Sequence, residues 1–271
     1  MVNTATQDGS GTRTSVSRSL DVIDELVREE RLGVTELASR LDLSKSTVHA
    51  YLKTLEQAGY VVRAGNKYRL AYALSLLGES VRNQSRLFRI AREEIDELAA
   101  DTGLYAHLTV EENGKSVNLY QAKGGDVGWY DYQSRKVQRP EPLHITATGK
   151  AILASLSRST AESIVDAHGL PERTPETITD RESLFDQLET IRERGYAYND
   201  EEEVLGFRAV GAPISDPYGD VLGAVSISGP TSILNGDRFH EESTSIVTRT
   251  ANLIEVTINM SDEFTTELMD D

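Results

Sequence analysis

The chain has 271 residues, 38% hydrophobic, 27% charged and 6% aromatic, enough for two domains with separate cores. No apolar run approaches the roughly 18 residues of a membrane span. The polar opening MVNTATQDGSGTRTS carries no secretory h-region, and there is no cysteine. These features exclude membrane-protein, disulfide-scaffold and thiolate chemistry and predict a cytoplasmic protein. The formal net charge is −16, which on its face argues against a polyanionic partner. The charge is unevenly spread, however. Residues 1–80 hold ten basic and ten acidic side chains, so all the excess negative charge lies beyond them. Within 40–70, six basic residues (Arg40, Lys45, Lys53, Arg63, Lys67, Arg69) stand against Asp42 and Glu56. Only seven of the 28 basic residues are lysine, a balance that suits high intracellular salt.

In chain order, residues 1–15 read as a disordered arm. Val16, Leu20, Ile23, Leu26 and Val27 recur at steps of three and four, the period of an amphipathic helix that Gly33 ends. A short second helix carries Leu37, Ala38 and Leu41, with Thr35 as its expected N-cap. Ser44 is the expected N-cap of a third helix that Gly59 stops. Two short strands, Tyr60 to Arg63 and Lys67 to Tyr72, flank a turn at Gly65-Asn66. Three helices and a hairpin over 16–72 predict a winged helix-turn-helix. A helical period then returns over 73–101 and reads as one linker helix, its second apolar stripe facing another subunit. Residues 102–262 mix strands with helices, including helices at about 148–156, 160–167, 181–195 and 237–260. The expected class is therefore α+β with a central sheet, closed by an acidic tail at 263–271.

The third helix turns Val48, Leu52 and Leu55 inward. Its other face presents Ser44, Lys45, Ser46, Thr47, His49 and Lys53, residue types that neutralise phosphates and bond base edges. Arg63, Asn66 and Lys67 in the wing are placed to reach the adjacent backbone. Double-stranded DNA is the expected partner. The five histidines show no metal-ligand spacing, so neither metal nor cofactor is expected. Gly149-Lys150 lacks the first glycine of a phosphate loop, and Ser226 and Ser228 lack a nucleophile elbow. Asp200 to Glu203 read as a solvated loop. No catalytic set assembles, which favours a binding protein over the alternative, an enzyme built on the same α+β domain.

Five ordered segments carry a resemblance. They are VSRSLDVIDEL at 16–26, SKSTVHAYLKTLEQAGYV at 44–61, PLHITATGKAILA at 142–154, GYAYNDEEEVLGFRAVGAPI at 195–214 and SISGP at 226–230. Together the chain resembles the IclR-type transcriptional regulators, and with its acidic composition most nearly the haloarchaeal ones, which points to a halophilic source. The resemblance implies a winged-helix N-domain and a GAF-like effector domain with a central antiparallel sheet. It also implies a homodimer or dimer of dimers on promoter DNA, answering a small metabolite such as a hydroxy- or keto-acid, a sugar acid or an aromatic acid. Carried over residue by residue, the effector site comprises backbone N–H groups of Ala147 and Thr148, hydroxyls of Ser226 and Ser228, and a wall at Trp129 and Tyr130. Asn199 and Ala209 complete it, where many relatives have aspartate and cysteine; the lost charge favours a more anionic ligand. Ala50 stands where many relatives have arginine, so the base preference is expected to differ.

Overall fold

Each of the first three helices has an apolar stripe too short to be stable alone, and the three bury these stripes together. In the computed structural model, which describes residues 14–127 and 139–267, they are α1 (Thr14–Arg28), α2 (Val34–Leu41) and α3 (Lys45–Gln57). The hairpin β1 (Val61–Ala64) and β2 (Lys67–Leu70) follows, closed through Gly65 in the left-handed region. Val22, Leu26, Leu37, Val48, Leu52 and Tyr68 meet in one core. Gly33, not Thr35, is the N-cap of α2. Its N–H donates to the Glu36 carboxylate at 2.7 Å, so a carboxylate three residues on replaces the expected hydroxyl.

The segment expected as one linker helix is two. α4 (Ala73–Gln84) stops, and α5 (Arg86–Thr102) starts afresh under Ser85, whose Oγ accepts from Phe88 N–H. Hydrophobic period alone cannot see such a break, because both helices keep their apolar stripes. The chain divides into compact units at Val81/Arg82, inside the expected linker.

The second unit is built on a six-stranded antiparallel sheet, ordered β5-β4-β3-β8-β7-β6. The strands are β3 (Tyr105–Glu112), β4 (Lys115–Lys123), β5 (Glu141–Pro142), β6 (Ala197–Asp200), β7 (Phe207–Ser215) and β8 (Val221–Pro230). β5 and β6 are too short to show alternation, and only the tertiary structure reveals them. The long strands alternate between faces, apart from register shifts opposite Leu108/Thr109 and at Ile214/Ser215. Val225 and Ile227 of β8 join Ala106 and Leu108 of β3 in a core under α5 and the terminal helix α9 (Ser243–Glu267). That helix continues to Glu267, into the segment expected as an acidic tail. The opposite face is covered by α6 (Ala147–Ser155), behind which pack α7 (Arg158–His168) and α8 (Arg181–Arg194). From Ala147 to Ala154 every residue of α6 is buried, Lys150 included. Among the described residues no helix is long and apolar enough to cross a membrane.

Candidate functional site

Two polar constellations stand out, one in each unit. On α3 the first turn is a small hydroxyl cluster. Ser44 Oγ accepts from Thr47 N–H at 3.1 Å and lies 2.8 and 2.7 Å from the hydroxyls of Ser46 and Thr47. Ser44 is thereby the cap that starts the helix. Lys45, Ser46, His49 and Lys53 are exposed on the face opposite Val48 and Leu52, with Thr47 half-buried. In the wing, Arg63 and Asn66 are exposed, and Arg63 Nε donates to Gly65 O at 3.1 Å across the turn. Lys67 is engaged elsewhere: its Nζ lies 3.1 Å from Glu36 Oε1, tying the wing to the start of α2. The bond from Gly33 and the Lys67 ammonium hold the Glu36 carboxyl below the usual carboxylate range. Lys67 therefore aims the wing as well as charging it.

The second constellation lies between the sheet and the start of α6. Two neighbouring rows cross the same face of the sheet. One runs Asn199, Ala209, Ser228, Tyr105, and the next Ala197, Gly211, Ser226, His107, Gln121. Gly211 matters because α6 begins directly over it: a Cβ there would lie 2.9 Å from the Ala147 carbonyl carbon and 3.0 Å from Thr148 N. Thr146 caps α6 by accepting from Gly149 N–H at 2.9 Å, and the first intrahelical bond runs from Lys150 N–H to Thr146 O. The N–H groups of Ala147 and Thr148 precede that ladder, as at any helix start. Gly149 permits the tight approach, because a Cβ would fall on the Leu143 carbonyl and 2.7 Å from its Cα.

A small cavity of about 20 Å³ opens here. Thr146 and Thr148 line it from α6 and its cap, and His107, Thr109, Ser116, Asn118 and Ser226 from the sheet, with Arg139 and Glu141 at the β5 end. All nine are polar. A bulge places Asn118 there. Leu108 pairs with Tyr120 but Thr109 pairs with Asn118, so Leu119 is unmatched; Tyr120 turns toward α5, its ring 5.6 Å from Phe88, while Asn118 turns into the cavity. Glu141 is held by Arg173 at 2.5 Å.

The structure distributes the expected effector residues over several positions. Ser226, Thr148, Ala147 and Ser228 are brought together, but Ser228 lies a row behind the cavity wall, bonded to His107 Nε2 at 2.8 Å. Asn199 does not line the cavity. Its Nδ2 donates to Ile145 O at 2.6 Å and its Oδ1 accepts from Glu202 N–H at 3.1 Å, so it clamps the turn before α6 to the loop after β6. Ala209, buried on β7, separates Asn199 from Ser228. Trp129 and Tyr130 lie outside the described residues. His107, Thr109, Ser116, Asn118 and Arg139 were missed; alternation along β3 would have put His107 and Thr109 on the face of Ser226 had the strand order been known.

The acidic run is not simply solvated. Glu202 is buried and meets the fully buried Lys150 of α6, with Nζ 2.5 and 2.6 Å from its two carboxylate oxygens. Burial pushes the Lys150 ammonium down and the Glu202 carboxyl up, while their contact opposes both changes. Thr174 and Thr177 donate hydroxyls to the Glu201 and Glu202 carbonyls at 2.8 and 2.6 Å, holding the loop in place. Among the described residues, no cluster of three or more His, Asp or Glu side chains could hold a metal ion.

Family models match in both units. The "IclR helix-turn-helix domain" covers residues 15–65, and "Bacterial transcriptional regulator IclR C-terminal" covers residues 79–256. The chain is 37% identical over 244 residues to a probable HTH-type transcriptional regulator ArcR of Halobacterium salinarum, covering 90% of this chain and 93% of that one. It is 32% identical over 242 residues to the HTH-type transcriptional regulator KdgR of Dickeya chrysanthemi, covering 89% and 78%. Among solved structures it resembles the Thermotoga maritima IclR, with TM-score 0.71 and 27% identity, covering 89% of this chain and 97% of that one.

Proposed function

Because this chain belongs to the IclR family of transcriptional regulators, we propose that it binds a promoter as a homodimer and answers a small anionic, hydroxylated metabolite from a catabolic route. The family pairs DNA binding with an effector-binding domain, and its members are regulators rather than enzymes. Lys45, Lys53 and Arg63 act on phosphate, and Ser46, Thr47, His49 and Asn66 lie nearer base edges. Ser44 starts the recognition helix and Lys67 orients the wing. Dimerisation is supported by α4, which buries none of its residues and leaves Leu76 at 66% and Val81 at 68% exposure. A dimer of dimers is compatible with the same reading. The setting is the cytoplasm of a halophile, in keeping with the acidic composition and with the relative from Halobacterium salinarum.

The observation that carries the effector class is that the described residues lining the cavity all bring a hydrogen-bonding or charged group to it. Its hydroxyl, amide and guanidinium groups can bond a hydroxy-, keto- or sugar acid, or the carboxylate of an aromatic acid. Thr148 and Ala147 N–H with Ser226 supply donors to the anion.

Selection of sites from random DNA tests the reading. The wild type should recover a pseudo-palindrome with half-sites about one helical turn, or a multiple of it, apart. Lys45→Ala and Lys53→Ala should weaken every site alike, whereas Ser46→Ala or His49→Ala should alter the site recovered. One unchanged site for all four variants would overturn these roles. Ser226→Ala with Ser228→Ala should abolish release or capture of DNA by acids while leaving operator affinity intact.

A further inference from the structure

Glu36 stands on the first turn of α2, where the wing folds back against it. Leu32, just before that helix, exchanges both backbone hydrogen bonds with Tyr68 of β2, at 3.0 and 2.8 Å. The Leu32 and Tyr68 side chains are buried in the same core. Gly33 lies against the wing turn, since a Cβ there would come within 3.8 Å of the Asn66 carbonyl oxygen. On the solvent side of this seam the Glu36 carboxylate spans the gap. Its Oε2 accepts from Gly33 N–H at 2.7 Å, and its Oε1 accepts from Lys67 Nζ at 3.1 Å. One oxygen is tied to the helix and the other to the wing, so the carboxylate cannot turn without losing a bond.

Lys67 has donors to spare. An ammonium carries three N–H bonds, and Glu36 takes one of them. The Lys67 side chain is 42% exposed, and the remaining N–H groups are open to solvent beside Arg63 and Asn66 of the same hairpin.

We infer that Glu36 is a positioning residue for DNA binding: it holds the Lys67 ammonium so that its remaining N–H groups meet one backbone phosphate. This rests on the DNA-binding reading of the wing. A lysine stem is flexible, and fixing its head on a phosphate costs rotamer freedom. Glu36 imposes part of that order before DNA arrives, so docking loses less. The carboxylate also repels the phosphate, which decides where its benefit shows. At about 0.1 M salt the Debye length is about 10 Å and the repulsion persists. At about 1 M it is about 3 Å, and only groups in contact still act on one another. Glu36 therefore helps most at high salt, the condition that the acidic, lysine-poor composition suits. A carboxylate that merely competed with DNA for Lys67 would have the opposite effect, because its removal would free a cation.

A double-mutant cycle on the full chain tests this. Binding is read by fluorescence anisotropy, over a series of KCl concentrations, on a labelled duplex carrying the site that the wild type selects from random DNA. Glu36→Gln removes the charge but keeps an acceptor for Gly33 N–H. Both side chains are nearly half exposed, so the variants should melt with the wild type. Lys67→Ala should flatten the plot of log affinity against log salt by about 0.9, the share of one phosphate. Glu36→Gln should weaken binding about two- to fivefold at about 1 M KCl, the range of an exposed ion pair. In the Lys67→Ala background the same substitution should change nothing. Tighter binding by Glu36→Gln at that salt, or a loss that persists without Lys67, overturns the positioning role. A slope unchanged by Lys67→Ala also overturns it, and leaves the DNA interface standing if Lys45→Ala flattens the slope. If neither lysine alters the slope, the DNA-binding reading of these residues falls and takes the role of Glu36 with it.

Discussion

The helices that begin the two sites start with the same chemistry and end in opposite surroundings. α3 opens on Ser44-Lys45-Ser46-Thr47 and α6 on Thr146-Ala147-Thr148-Gly149. In each, a hydroxyl at the N-cap accepts from the N–H three residues on, at 3.1 and 2.9 Å. Yet the first turn of α3 is largely exposed, while that of α6 is buried. The local motif decides where a helix starts. Whether its polar groups meet water or another molecule is decided by what packs over it: Gly211 and the sheet for α6, and no described side chain layer for the polar face of α3. A polyanion docks on an open surface from which lysines reach outward, whereas a small effector needs donors already stripped of water.

The ion pairs of the two units give the largest test of that contrast. Lys150 and Glu202 are both buried, whereas Lys67 and Glu36 are 42% and 47% exposed. Removing one member of a buried pair strands the other charge, so Lys150→Met should lower stability by about 3–5 kcal/mol. Lys150→Met with Glu202→Leu should recover most of that loss. Lys67→Ala should leave the thermal midpoint almost unchanged, since exposed pairs are screened. Denaturant unfolding of the four proteins decides it, and a double variant no better than Lys150→Met alone would break the comparison.

A smaller effect is expected at the caps. Thr146→Val removes the acceptor for a buried N–H, which no water can replace, and should cost about 1–3 kcal/mol. Ser44→Ala leaves its N–H groups open to solvent and should cost about 1 kcal/mol. Thermal unfolding should rank the two in that order; equal losses would mean that burial adds nothing to the cap.

These pairs also show what the sequence could and could not tell. The caps at Ser44, the stop at Gly59, the long strands and α8 were legible because each depends on residues within one turn or one alternation. The helix-turn-helix and its polar face were legible for the same reason. The cavity was only half legible. Ser226 and Thr148 came from the resemblance, but His107 and Asn118 reach them through strand order and a bulge, which are non-local. Asn199, expected at the effector site, bonds the turn before α6, because its amide nitrogen can donate to the Ile145 carbonyl. Glu202 looked solvated because a run of four acids hides which one turns inward.

The finest test uses pH. His144 is buried in the turn before α6, where its Nε2–H donates to the Pro171 carbonyl at 3.2 Å. Burial, the larger influence, pushes its imidazole below the ordinary value of 6.5 despite that bond, and the nearby Lys150 and Arg173 push the same way. The unfolded chain therefore binds a proton at a pH where the folded chain does not. Linkage gives the sign: the stabilising contribution is fully present above about 6.5 and is lost as pH falls through the lowered folded value. The midpoint of thermal unfolding should fall between pH 6.5 and 5, and His144→Gln should shallow that slope without removing it, because other buried groups also titrate. A slope identical in the variant would mean that His144 protonates as readily folded as unfolded, and that the buried start of α6 is wetter than its packing implies.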